Sequence, residues 1–423
     1  GWGAWELQPE GQSSAGVASA IYALANHFEP WSLIVFNAAL HAAGGLILMQ
    51  LIRHLGVRTQ IAFYSGAFYV FYPSSLQWVS QIQKDSTYFA GMLAVLLGMI
   101  MLIRMPSRAK QPFSLMRAGG VIALGLILIS LARLYGLELL KYVSLLLILI
   151  ATPFLVKKWL EENISATRLI TVMLIFLAIP IFCKYAPRDE RIPADISFAN
   201  KKPPVAFSLS SNRKGHGGKK SGTPEDDRQL LEKSVLESED YKNVYIVSLI
   251  WERTAFLPES IDTVALRIAK ARYGWRGTSY QPAGSMIDWD VKFWNAAEEI
   301  AYLPRAIQIG MLAPFPEHWL AQGSSPGGTV MRRVTGIEML LLYPMLLIGL
   351  PLAAWRWRCR LEFWMIVAFC LPLLILYAYT VPNLGSLYRL RYGFLMALSA
   401  IGFAALWLSI QDWLNYKHRI AQS

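Results

Sequence analysis

The sequence predicts an all-α polytopic membrane protein, and three observations predict it. Hydrophobic residues make up 55% of the 423-residue chain, with a mean hydropathy of +0.37; an ordinary soluble domain is roughly 45–50% apolar. The apolar residues gather into segments of about 17–25, the length a helix needs to cross a hydrocarbon core. Lysine and arginine alternate between the connections as the positive-inside rule requires.

Nine segments qualify, at 31–52, 61–82, 86–104, 118–134, 138–156, 168–185, 338–356, 362–381 and 392–411. Only "ARLYGLELLKY", short and weakly polar, separates the fourth from the fifth. One set of alternate connections carries fourteen cations: Arg53, Arg58, Arg104, Arg108, Lys110, Arg117, Lys157, Lys158, Arg168, Arg356, Arg358, Arg360, Lys417 and Arg419. The opposite short connections hold only Lys84, Arg133, Lys141, Arg389 and Arg391. Short loops rich in Lys and Arg stay cytoplasmic. Residues 1–30, the Lys84–Asp85 turn, the long segment 186–336 and "PNLGSLYRLR" are therefore expected on the extracytoplasmic side. The expected order is a loop remnant with an amphipathic helix (1–30), six spans (31–185), an extracytoplasmic domain (186–336), three spans (337–411) and a cytoplasmic tail (412–423).

Charge and cysteine content exclude other classes. The net charge is +12, yet segment 186–336 holds 20 basic and 18 acidic residues. Most of the excess is thus topological signal near the inner leaflet, and nucleic acid is not an expected partner. Cys183, Cys359 and Cys370 fall at a span end, in a basic loop and inside a span, so they form no disulfide framework. The chain opens on Gly1 with no basic, apolar and small-residue leader, so a longer protein is expected to begin upstream.

Within 186–336, "ANKKPPVAFSLSSNRKGHGGKKSGTPEDDRQ" is poor in apolar residues and reads as a mobile excursion over 199–228. Leu231, Val235 and Leu236 then recur at helical spacing, and Ile261, Val264, Ala265 and Ile268 mark a second amphipathic helix closed by "RYGWRG". A third follows in "GSMIDWDVKFWNAAEEIAYLPRAIQIGMLAPFPEHW", whose aromatic rings suit the membrane boundary and place Arg305 within reach of phosphate. Asp288 and Asp290 in that stretch suit turn capping or, alternatively, a divalent Mg²⁺ or Mn²⁺ ion held by hard oxygen ligands.

In the second span Ser74, Gln77, Gln81, Lys84 and Asp85 recur three or four residues apart, as one polar stripe on a helix. Such a stripe facing lipid would leave amides unsatisfied, so it must face protein or a wet cavity. Interhelical bonding alone is the alternative. Arg389 and Arg391 enter the last span near Gly385 and Gly393; a forked guanidinium suits phosphate, and snorkelling to headgroups is the competing role. Alternate residues diverge on a helix, so the two grip one group only if the turn is irregular. Asn37 and His41, four apart beside Ala38, Ala42 and Gly45, read as close helix packing. No zinc-protease, phosphate-loop or nucleophile-elbow motif is present.

The segments "SSAGVASAIYALANHFEPWSLIVFNAALHAAGGLILMQLIRHLG", "FYPSSLQWVSQIQKDSTYFAGMLAVLLG" and "PNLGSLYRLRYGFLMALSAIGFAAL" together resemble the bacterial C-type glycosyltransferases, which take sugars from polyprenyl-phosphate carriers. "YLPRAIQIGMLAPFPEHW" resembles a stretch in membrane proteins of exopolysaccharide and O-antigen clusters. The resemblance implies residence in the bacterial inner membrane, a large periplasmic loop, an inverting transfer to a glycan or lipid-linked acceptor, and an acidic base in the first periplasmic loop. Here the chain departs from the pattern: of that loop only Glu6 and Glu10 in "GWGAWELQPEGQ" stand in the given sequence, as further candidates for base or metal partner, and a family aspartate upstream of Gly1 would leave the given chain catalytically incomplete. Asp85 stands where a second acidic site would be, as base or metal partner. Lys84, Arg389 and Arg391 would meet phosphate, with Gln81 and Tyr388 beside them, and Asp288, Asp290 and Arg305 would position the acceptor. Two rivals stay open: a polymerase or ligase of lipid-linked glycans that relies on arginines, and a non-catalytic transporter or assembly subunit.

Overall fold

The computed structural model describes residues 13–81, 83–104, 111–162, 166–186, 245–276, 285–323 and 326–422. Glu6, Glu10, the 199–228 excursion and the helix expected around Leu231 lie outside them. The chain divides into two compact units, one drawn from 1–189, 304–378 and 384–423, the other from 190–303 and 379–383. The second unit is therefore smaller than the expected 186–336 domain, because the chain from Pro304 onward packs within the first.

In the first unit, α1 (Ser13–Ala25) precedes α2 (Trp31–His54), α3 (Thr59–Val70), α4 (Pro73–Val79), α5 (Asp85–Ile103), α6 (Gln111–Ala132), α7 (Leu134–Glu162) and α8 (Ala166–Tyr185). Among the described residues no named strand occurs, and seven helices are long and apolar enough to cross a membrane. This is an all-α, multi-pass membrane protein. Nearly every residue of α5 is buried, which makes it the central helix of the unit. It lies against α6 where Gly91 meets Gly125: a Cβ on Gly125 would stand 2.7 Å from the Gly91 carbonyl. Only hydrogen at both positions permits that approach.

The expected second span is broken. Pro73 has no N–H to continue a helix and forces Tyr72 out of the helical region, to ψ 126°. The run 61–82 becomes α3, a bend at Phe71–Tyr72, and the short α4. Ser74 and Gln77 ride on α4, Gln81 lies past its end, and Asp85 opens α5, so the single polar stripe does not exist. Polar side chains instead satisfy the freed backbone carbonyls: His41 Nε2 lies 3.2 Å from the Val70 oxygen, Tyr392 donates to that of Tyr69 at 2.6 Å, and Asn37 donates to that of Gln81 at 3.0 Å. The close packing expected of Asn37 and His41 thus also serves the break.

In the second unit, α9 (Tyr245–Ile250) and α10 (Glu259–Arg276) are followed by an irregular stretch and the start of α11 (Ala296–Leu312), which continues into the first unit. The helix expected around Ile261–Ile268 is α10. Arg272, 2% exposed, donates to the carbonyls of Asp288, Val291 and Tyr379. It organises the stretch that lacks its own backbone ladder.

Back in the first unit, α12 (Pro316–Trp319) leads to α13 (Pro326–Pro344), which passes through a π-turn at Met345–Gly349 into α14 (Leu350–Arg356). Then come α15 (Leu361–Thr380) and α16 (Leu384–Gln422), whose 39 residues exceed what a hydrocarbon core needs. Helix α16 is regular through Gly385 and Gly393, so the irregular turn considered there is absent. Gly393 serves packing instead: a Cβ there would lie 2.3 Å from the Phe89 ring.

Candidate functional site

Asp85 opens α5 inside the first unit, 5% exposed. Two arginines meet it. The Arg133 Nη2 donates to Asp85 Oδ1, and the Arg389 Nε stands 3.4 Å from Asp85 Oδ2. Arg133 lies at the junction of α6 and α7, Arg389 in the first turns of α16. Three segments distant in sequence thus meet at one carboxylate.

The two cations are held differently. Arg133 is buried, also donates to the Tyr135 hydroxyl, and lies over the rings of Tyr88 and Tyr135 at 5.5 and 5.6 Å. Arg389 is 29% exposed at its side chain; beyond the long contact to Asp85 it makes a 3.3 Å bond to Gln83 Oε1. Neither Arg389 Nε nor Asp85 Oδ2 has a hydrogen-bond partner within the protein. Arg133 is the fixed counter-ion and Arg389 the adjustable one.

A cavity of about 10 Å³, the room one water needs, lies beside them, lined among others by His41, Trp78, Asp85, Phe89, Arg389 and Tyr392. Trp78 Nε1 and Gln77 Oε1, both on α4, are likewise buried without partners. Beside the cavity the unmet donors Trp78 Nε1 and Arg389 Nε and the unmet acceptor Asp85 Oδ2 suit a bound water or the polar end of a ligand.

A second carboxylate braces these elements. Glu338 on α13, 2% exposed, accepts from the Ser74 N–H at 2.5 Å, from the Ser74 hydroxyl, and from the Tyr388 hydroxyl at 2.9 Å. An acidic group at the N-terminus of α4 satisfies its orphan donors. Tyr388, expected to face substrate, is instead tied to Glu338 and, at 3.3 Å, to Tyr72.

Other expected residues are placed elsewhere. Arg391 is a correction: it is fully buried, and its guanidinium donates to the Ile309, Gly310 and Ala313 carbonyls at the C-terminal end of α11. A helix end buried away from water needs such donors, so this arginine is not available to phosphate. Arg305 is half-buried, bonds Gln308 at 2.8 Å and lies 4.9 Å from the Phe315 ring centre. Gln81 contributes its backbone carbonyl to Asn37. Lys84 is half-buried and does not line the cavity.

In the second unit, Asp288 takes a left-handed backbone, φ 46°, and accepts from the Tyr302 hydroxyl at 2.8 Å. Among the described residues no group of three His, Cys, Asp or Glu side chains gathers to hold a metal. Asp85, flanked by two guanidiniums, is a poor ligand for a divalent cation, so the residues do not fit a metal at this site. Nearby in the same unit, Glu299 is buried with one carboxyl oxygen unpartnered, and burial together with the Asp262 charge raises its pKa to about 9.

No family model matches the chain, and no curated protein or solved structure matches it. Arg133, Glu338 and Trp78 were not singled out by sequence reasoning. Arg133 alone left a signal, as one of five cations on the side poor in them.

Proposed function

We propose that the protein is a glycosyltransferase of the bacterial inner membrane that moves a sugar from a polyprenyl-phosphate carrier to a glycan or lipid acceptor on the periplasmic side. The observation that carries this reading is Asp85 held between Arg133 and the adjustable Arg389 beside a ring-walled polar cavity. The acceptor hydroxyl oxygen attacks the anomeric carbon, the bond from that carbon to the phosphate oxygen breaks, and the carrier leaves as a lipid phosphate. Arg389 meets the phosphate and, with Arg133 behind it, stabilises the charge that grows on the departing oxygen. Asp85 Oδ2, which has no hydrogen-bond partner within the protein, takes the acceptor's proton.

One observation favours the rival polymerase or ligase. Asp85 has committed one oxygen to Arg133, so the cluster presents two cations and only half a carboxylate, as an arginine-reliant mechanism requires. In that case Asp85 only orients the arginines.

Carrier binding tests the proposal. Undecaprenyl phosphate is titrated into the full-length protein in phosphatidylcholine nanodiscs, comparing wild type with Arg389→Gln. A charge-assisted bond is worth about 1.5–3 kcal/mol, so affinity should fall about ten- to hundredfold. Equal affinity in the two proteins would remove Arg389 from the phosphate site and with it the proposal.

A further inference from the structure

We propose that the end of the first unit opposite Asp85 holds the headgroup of an anionic phospholipid with two phosphates, gripped by arginines around the α2–α3 turn. Nineteen residues of α5 separate Asp85 from Arg104, about 28 Å at 1.5 Å per residue. The site is thus distinct from the Asp85 cluster and independent of the sugar-transfer reading.

The turn itself is rigidly built. Leu55 and Val57 are buried and anchor it, while Gly56 between them takes φ 84°, a conformation that strains any residue with a Cβ. Two arginines from other elements close on its backbone. Arg104, at the end of α5, donates to the His54 carbonyl at 3.2 Å, and the Arg360 guanidinium, from the α14–α15 connection, packs over Gly56, 3.5 Å from where a Cβ would stand. Arg53 and Arg58 flank the same turn, and Arg117 of α6 acts electrostatically on His54, as Arg53 and Arg104 do.

Five guanidiniums from four segments therefore gather at one turn. The buried carboxylate of Glu362 is taken by Arg104. Among the described residues Arg53, Arg58, Arg117 and Arg360 form no ion pair, and all four are exposed. Like charges held together by packing repel, and an anion that bridges them relieves the repulsion. Guanidinium forks match phosphate oxygens, and four unpaired cations outnumber the charge of a single phosphodiester.

The surroundings decide between a lipid and a free anion. Met116 directly precedes Arg117, Phe63 follows Arg58 by five residues and Trp364 follows Arg360 by four; all three side chains are exposed. On helices that cross a bilayer such side chains face acyl chains, with tryptophan at the boundary. An anion docked among them has hydrocarbon against it, so the ligand is an amphiphile.

The test separates a built site from diffuse attraction. Cardiolipin, whose headgroup carries two phosphates, phosphatidylglycerol and phosphatidylcholine are titrated separately into the full-length protein in dodecyl maltoside, and bound lipid is counted by native mass spectrometry. Wild type should bind one cardiolipin saturably, about tenfold more tightly than phosphatidylglycerol, and no phosphatidylcholine saturably. Arg58→Gln with Arg360→Gln should lose about tenfold or more of that affinity, and Arg360→Gln alone about threefold or more. Lys417→Gln with Arg419→Gln, which removes the same charge from exposed positions in the last turns of α16, should lose at most about twofold. Equal losses in the two double variants would mean diffuse attraction, equal affinity for cardiolipin and phosphatidylglycerol would remove the second phosphate, and displacement of cardiolipin by inorganic pyrophosphate would mean a site for a free anion; each result overturns the proposal.

Discussion

Replacing Asp85 by asparagine keeps the shape of the side chain yet should unfold much of the protein's stability margin. Both members of the Asp85–Arg133 pair are almost fully buried, with side chains 7% and 5% exposed. Removing one partner of a buried pair costs about 3–5 kcal/mol, because the other charge is left uncompensated. Here two guanidiniums would be stranded, only one of them with partial access to water. Removing both charges is cheaper than removing either. We therefore expect Asp85→Asn and Arg133→Gln each to destabilise by about 3 kcal/mol or more, and the double variant to be less destabilised than the sum by about 2 kcal/mol. Reversible unfolding in mixed detergent, followed by tryptophan fluorescence, measures all four corners of the cycle. Additivity within about 0.5 kcal/mol would mean that the pair does not exist as described. A practical consequence follows for any activity assay: turnover of Asp85→Asn must be normalised to folded protein.

Arg391→Gln should lower the melting temperature far more than Arg389→Gln, because it strands carbonyls at the end of α11, whereas the partly exposed Arg389 contributes about 1 kcal/mol or less; equal shifts in the two variants would refute the division of roles. Glu299 gives a pH signature. With its pKa raised to about 9 in the folded protein, folding retains a proton, and stability should decline as pH rises from the ordinary glutamate range toward 9. Glu299→Gln removes that decline, gaining up to about 3 kcal/mol at neutral pH and little near pH 5; a gain independent of pH would contradict it. For orientation, Cys359 is exposed in a basic loop while Cys183 and Cys370 are buried. In intact spheroplasts an impermeant maleimide should leave Cys359 unlabelled and, in a Cys359→Ser background, should label Ser80→Cys and Arg253→Cys; labelling of only one of these two would sink the topology.

The membrane class was legible because span length and the positive-inside bias are properties of the chain itself. The broken second span was legible in principle, since Pro73 follows Phe71–Tyr72, but the periodicity of Ser74, Gln77, Gln81 and Asp85 argued for continuity and outweighed a single proline. Asp85 was found because a carboxylate between apolar runs is costly without a reason. Its pairing with Arg133 and Arg389 was not, because contacts across α5, α6 and α16 are set by helix packing, to which local spacing is blind. The divergence of Arg389 and Arg391 could be read from helical geometry; that Arg391 turns to the end of α11 could not, because that end is more than seventy residues away in sequence. Glu338 sits at the start of an apolar span, where sequence alone does not separate a boundary charge from a buried cap.

The most direct test of the central claim is turnover by the cluster. Purified full-length protein in proteoliposomes is given undecaprenyl-phosphate glucose, galactose, mannose and arabinose, together with a membrane glycan extract as acceptor, and release of undecaprenyl phosphate is counted. Wild type should release undecaprenyl phosphate from at least one donor, and Arg389→Gln should release at least about tenfold less at equal amounts of folded protein. Release that persists undiminished in Arg389→Gln, or release from none of the donors by a folded wild type, would contradict it.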